Sequence, residues 1–153
     1  LNPGKAAAKR QRWQAIAEAA AKQSKRSIIP EGTLPMRWKD ALSLLPDFSL
    51  RLIPYENARG AERTRELLLD LRELRGAVDR PSEAGAGAAN EKKTPDRRRK
   101  IAVFIGPEGG FSEEEIAEAR AAGMECLSLG KRILRTETAA LCVLSLLMLF
   151  LED

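Results

Sequence analysis

Two rhythms of apolar and polar positions run along the chain. Over residues 5–24, Trp13, Ile16, Ala17 and Ala20 recur at three- and four-residue spacing among many alanines, which predicts a helix. The segment SKRSIIPEG leaves it as a basic turn and a short extended piece. Residues 38–45 read as a short helix that stops before Pro46, because the residue preceding a proline avoids helical backbone. FSLRLIPY, residues 48–55, changes to alternation and predicts a strand ending at Pro54. Helical spacing returns over 61–74, with Leu67, Leu68, Leu71 and Leu74 on one face and Gly76 as the stop.

Residues 77–100 have no period. They mix Pro, Gly and Ala with a closing run of charge, and read as a flexible insertion in the surface. Regular pattern resumes at 101–105, IAVFI, a continuous apolar run that suits a buried parallel strand. Ser112 and Glu115 have capping-box spacing, so a helix starts there and runs to about Ala122, with Gly123 ending it. MECLSL is a further short strand and GKRILRTETA a loop. Thr136 or Thr138 then caps a last helix that is apolar nearly all round, the mark of burial on more than one side, in a core or a dimer interface. Strand, helix, strand, helix in this order predicts an α/β fold with a mainly parallel sheet.

The chain has 153 residues, enough for one ordinary domain with a core built from Leu, Ala and Ile. Its charge is +4, from 26 basic and 22 acidic residues, which is compatible with a nucleic-acid partner without requiring one. There is no histidine, so the commonest metal ligand and the commonest general base are both missing, and no metal is expected. Cys126 and Cys142 have neither metal spacing nor a disulfide framework; they read as packing residues of a protein in a reducing cytoplasm. The apolar stretch 139–151 is shorter than the roughly 20 residues that span a bilayer, so no membrane partner is expected.

The candidate chemistry lies in two loops, 106–112 and 129–138, each following a strand. In open α/β sheets ligands sit beyond those strand ends. The two strands are close in sequence and are expected to lie near one another, making the loops two walls of one pocket. GPEGGFS matches neither phosphate-binding glycine spacing. Glu113, Glu114 and Glu115 would also repel a phosphate at the helix start. A ligand with an adenine, a ribose and a charged sulfonium or amino-acid part fits better, since glycines allow close backbone approach. The plainer alternative is that Gly106, Gly109 and Gly110 serve only a tight turn. Arg132 and Arg135 are either a solvated face or a site for a phosphate or carboxylate, and Glu137 is either a first-turn acid or a catalytic one.

IAVFIGPEGGFSEEEI, LSLGKRILRTETAAL and, less specifically, RWQAIAEAAAKQSKRSIIPE resemble the bacterial 16S ribosomal RNA (uracil-N3)-methyltransferases of the SPOUT class. The resemblance is close over 100–152 and loose over 10–55. It implies a SPOUT methyltransferase domain over 1–153, with a deep trefoil knot near the C-terminus whose loops bind S-adenosyl-L-methionine. It implies a homodimer with the cofactor pocket at its interface. It carries cofactor contacts onto Gly106, Pro107, Glu108, Gly109 and Gly110 in one loop. In the other it carries them onto Leu129, Gly130, Ile133, Leu134, Thr136 and Thr138, and in a third segment onto Leu52 and Ile53. It further implies 16S rRNA, in the assembled small subunit, as the substrate. The family's N-terminal β-barrel RNA-binding domain and the first strand and helix of the methyltransferase domain have no counterpart, which is the expectation for a fragment or short form.

Methyl transfer from a sulfonium needs chiefly that the nucleophile be positioned. Arg135 is the candidate to hold the nucleotide or stabilise its developing oxyanion, and Glu137 to orient the loop or take the N3 proton. Glu108, a water or a residue outside the chain are other acceptors. Three alternatives stand beside this reading: a methyltransferase of the same class acting on tRNA, a non-catalytic RNA-binding module carried by the 92–100 run and the basic first helix, and a nucleotide-binding enzyme of another class.

Overall fold

The computed structural model describes residues 2–56, 58, 62–69 and 100–151. They divide into two compact units, Leu1–Ser43 and Leu44–Asp153. The first unit is built on α1 (Pro3–Gln23) and a short α2 (Trp38–Ser43). Asn2 caps α1 by accepting from the Gly4 N–H, and Pro3 occupies the first turn, where its missing N–H costs nothing. Lys25 turns left-handed at φ 56° to end the helix, and the Arg26 N–H reaches back to Ala21 O. The returning chain is held along α1 by Gln14, which accepts from the Gly32 N–H at 2.8 Å, and by Arg10, which donates to Gly32 O at 2.8 Å. Trp13 remains 41% exposed and Ile16 58%, so the apolar positions that gave the helix its period are not a buried stripe in this chain.

The second unit begins with a 3₁₀ turn, Leu45–Asp47, that buries Leu45. Among the described residues its sheet has three parallel strands in the order β2-β1-β3: β1 (Leu50–Pro54), β2 (Ile101–Val103) and β3 (Glu125–Leu127). Leu50 pairs with Ile101, and Leu52 with Glu125. The strand expectations hold in position and are too long in extent, because each strand is regular only where a partner lies opposite. The expected neighbourhood of β2 and β3 is corrected: β1, encoded far upstream, lies between them.

Leu52 is completely buried, and with Leu67, Leu68, Leu127, Val143 and Leu147 it forms the core. Leu67 and Leu68 come from α3 (62–69), and Val143 and Leu147 from α5 (Thr136–Leu151), one helical turn apart. Ile53, next along β1, points to the opposite face and is also completely buried. Between β2 and β3 runs α4 (Glu113–Ala121), where the Ser112–Glu115 capping box forms in both directions. Gly123, at φ 83°, ends it, with the Met124 N–H bonded to Ala119 O.

The last helix, expected in a core or a dimer interface, meets the core within this chain. One side is buried, while Leu141, Leu144, Met148 and Leu149 are all more than half exposed. Neither threonine caps it: Arg135 O accepts the first helical bond, from the Ala139 N–H, and the Thr136 hydroxyl is used elsewhere. The expected insertion at 77–100 lies outside the described residues except for Lys100, as do Leu71, Leu74 and Gly76. No helix among the described residues is long and apolar enough to cross a membrane.

Candidate active site

Three parallel strands deliver three chain segments to the same edge of the sheet: 55–56 after β1, 104–112 after β2 and 128–135 after β3. Backbone and hydroxyl bonds hold these segments in register. The Tyr55 N–H donates to Leu127 O at 3.0 Å, joining the ends of β1 and β3. Thr64 of α3, 6% exposed, accepts from the Ser128 N–H at 3.0 Å and donates to Ser128 O at 3.2 Å. Both backbone polar groups of Ser128 at the loop's origin are thereby fixed by one side chain. At the loop's end the Thr136 hydroxyl donates to Gly106 O at 3.0 Å. That bond ties the third segment to the second.

The GPEGG turn closes on itself through the Gly110 N–H and Pro107 O at 2.9 Å. Gly110 has φ 73°, and a Cβ there would come 3.1 Å from the Glu56 carboxylate. The left-handed backbone favours glycine at this position, and a Cβ would in addition make the Glu56 carboxylate give by a few tenths of an ångström. Gly109 is different: a Cβ on it would meet nothing within 4 Å. A Cβ on Gly106 would press on the Phe111 ring at 3.1 Å.

The segments enclose two recesses that share Glu56, Pro107, Gly110, Ile133, Leu134 and Thr136. The inner one, about 80 Å³, runs back past Tyr55, Ile105, Phe111 and Leu129. The outer one, about 640 Å³, is bounded by Glu108, Gly109, Arg135 and Glu137, and falls in the range of roughly 300–1,000 Å³ usual for small-molecule sites. Glu56, Glu108 and Glu137 outnumber Arg132 and Arg135 around the two recesses. That balance suits a ligand with a cationic centre and opposes a polyphosphate. The Arg63 guanidinium, pushed up by its hydrogen bond to Glu125, lies on the surface outside both recesses. Among the described residues no three His, Cys, Asp or Glu side chains gather as a metal site.

A family model described as an RNA methyltransferase domain matches residues 2–148. The chain belongs to this family. It is 34% identical over 137 residues to the ribosomal RNA small subunit methyltransferase E of Mesomycoplasma hyopneumoniae, covering 90% of this chain and 47% of that protein. It is 33% identical over 146 residues to the Bacillus subtilis protein of the same name, covering 95% and 48%. The crystal structure of the Neisseria gonorrhoeae ribosomal RNA small subunit methyltransferase E, bound to S-adenosyl methionine, superposes with a TM-score of 0.63 at 27% identity, covering 95% of this chain and 49% of that one. The chain thus spans about half the length of the relatives it matches. The parallel sheet with flanking helices is the SPOUT-type architecture of these structures.

Within this RNA methyltransferase domain, Gly106, Pro107, Gly110, Leu129, Gly130, Ile133, Leu134 and Thr136 line the inner recess. Glu108, Gly109, Arg135 and Glu137 join at the outer one. Leu52 and Ile53 line neither; they are completely buried in β1, and that strand reaches the inner recess through the next three residues, Pro54, Tyr55 and Glu56. Thr138 is exposed in the first turn of α5 and lines neither recess. Tyr55 and Glu56 lay outside the expected site, and Phe111 was in it only as part of the 106–112 loop. The available signal for the first two was Pro54, which ends a strand and makes the following residues a loop at a strand's C-terminal edge.

Proposed function

We propose that this chain is an S-adenosylmethionine-dependent methyltransferase domain that methylates N3 of a uridine in small-subunit (16S) ribosomal RNA. The observation that carries the reading is the meeting of the GPEGG turn and the RILRTET loop in one recess, joined by the Thr136–Gly106 bond at the C-terminal edge of a parallel sheet. The names of the relatives support ribosomal RNA as the substrate, and the bound molecule in the N. gonorrhoeae structure supports the cofactor.

The recess fits that cofactor on its own features. Open space at Gly109 leaves room for a ligand against the turn's backbone, and the acidic excess suits a sulfonium and an ammonium. Gly106, Gly109, Gly110, Leu129 and Leu134 would hold the cofactor. When bound, it supplies an electrophilic methyl group. Arg135 holds the target nucleotide and stabilises negative charge growing on the uracil oxygen. Glu137, also exposed at the outer recess, orients the loop or accepts the N3 proton. We propose as well that the chain acts in the cytoplasm, on 16S rRNA in the assembled small subunit, that the two tied loops form a trefoil knot, and that the exposed face of α5 is covered in a homodimer.

Calorimetric titration with S-adenosylmethionine, ATP as the rival ligand and Gly109→Val as the control tests the cofactor. Binding that the substitution abolishes, with no ATP binding, supports the reading; ATP binding in its place overturns it. Mass spectrometry of small subunits incubated with the protein and cofactor then reads the modified position. If Arg135→Ala keeps full turnover and loses only RNA affinity, Arg135 has no catalytic part.

A further inference from the structure

One side of α1 in the first unit is left open, and its composition is specific. Lys5, Lys9, Arg12, Trp13 and Ile16 are all exposed. At 3.6 residues per turn they fall in a single stripe roughly 100° wide and about 16 Å long. Lys9 Nζ sits 5.2 Å from the centre of the Trp13 ring. Arg10 and Gln14 face elsewhere and are engaged by the returning chain at Gly32. Glu18, the single acid of α1, falls on the far side of the helix. No ion pair engages Lys5, Lys9 or Arg12 among the described residues.

Charge is divided unevenly between the two units. Residues 1–43 hold nine Lys and Arg against three Asp and Glu, an excess of six positive charges. Residues 44–153 hold seventeen against nineteen, an excess of two negative charges. The net positive charge of the whole chain therefore resides in its first 43 residues. The three cations of this stripe need regularly spaced anions to pair them at once. A phosphate backbone would pair all of them, and an indole beside them offers a face to an unstacked base.

We infer that the Lys5–Lys9–Arg12–Trp13 stripe binds a single-stranded stretch of RNA, with the three cations on successive phosphates and a base stacked on Trp13. The inference rests on the reading of this domain as one that acts on RNA, and it names the surface that receives the strand. Stacking selects an unpaired base, because paired bases in a duplex expose no face.

The test uses the full chain with Trp38→Phe, so that Trp13 is the one indole reporter. The probe is a uridine-rich single-stranded RNA of roughly twelve nucleotides, inside the usual range of single-strand sites. Binding should quench Trp13, and a duplex of equal length should bind without quenching. Trp13→Ala, followed by a dye-labelled strand, should weaken binding roughly 5- to 150-fold, and Trp13→Phe should keep most of the affinity. The double change Lys9→Gln with Arg12→Gln should flatten the dependence of log affinity on log salt by about 1.4, near 0.7 for each lost contact. Wild-type affinity in both Trp13→Ala and the double variant would overturn the inference. So would absence of RNA binding by the parent chain, or self-association that depends on Trp13. Titration of the same variants with S-adenosylmethionine separates the two readings. Stripe-dependent RNA binding without cofactor binding keeps this inference and removes the methyltransferase; cofactor binding with stripe-independent RNA binding does the reverse.

Discussion

Gly109 and Gly110 are adjacent and lack side chains for different reasons, so they should respond differently to substitution. Gly110 sits in left-handed backbone, with the Glu56 carboxylate 3.1 Å from where a Cβ would lie. Gly110→Ala should therefore lower stability by about 1–2 kcal/mol, read as a drop in Tm. Gly109 has open space around it, so Gly109→Val should leave Tm nearly unchanged and abolish S-adenosylmethionine binding in a titration. A large loss of Tm in the second variant would mean that the turn, rather than a ligand, needs that glycine. Thr136 offers a third probe. Thr136→Val keeps the shape and removes the donor to Gly106 O, costing about 1 kcal/mol of stability. It should weaken cofactor binding as well, because that bond ties two walls of the recess.

At the scale of elements, α5 carries its two roles on different sides. Leu147 is in the core, and Leu147→Ala should cost about 2–5 kcal/mol in denaturant unfolding. Leu144, more than half exposed, should cost under about 0.5 kcal/mol in the monomer when changed to Ala. The same contrast explains what was legible beforehand. Signals carried within a few residues came through: the Ser112–Glu115 box, Gly123 as a stop, the core leucines of α3 and the two loops after strands. Features decided by distant partners did not. Strand limits depend on what lies opposite, β1 enters between β2 and β3 from far upstream, and Pro54–Glu56 become pocket wall only because of that insertion. The Thr136 hydroxyl, one of two candidate caps, instead bridges thirty positions to Gly106.

For the whole molecule, the exposed row of Leu141, Leu144, Met148 and Leu149 is the feature a monomer has least reason to keep. In the proposed homodimer these side chains are covered. Replacing Leu144 by Glu together with Met148 by Lys should shift sedimentation to the monomer while leaving far-ultraviolet circular dichroism unchanged. A monomer at all concentrations in the parent chain would remove the pairing. Strand order has a consequence in time as well. Of the three described strands the central one is made first on the ribosome, and its pairings with β2 and β3 wait until residues 101–127 have been added, on the order of seconds at usual synthesis rates. Over that interval LRLIP lacks both of its described partner strands, and refolding of the purified protein should be slow for its size for the same reason.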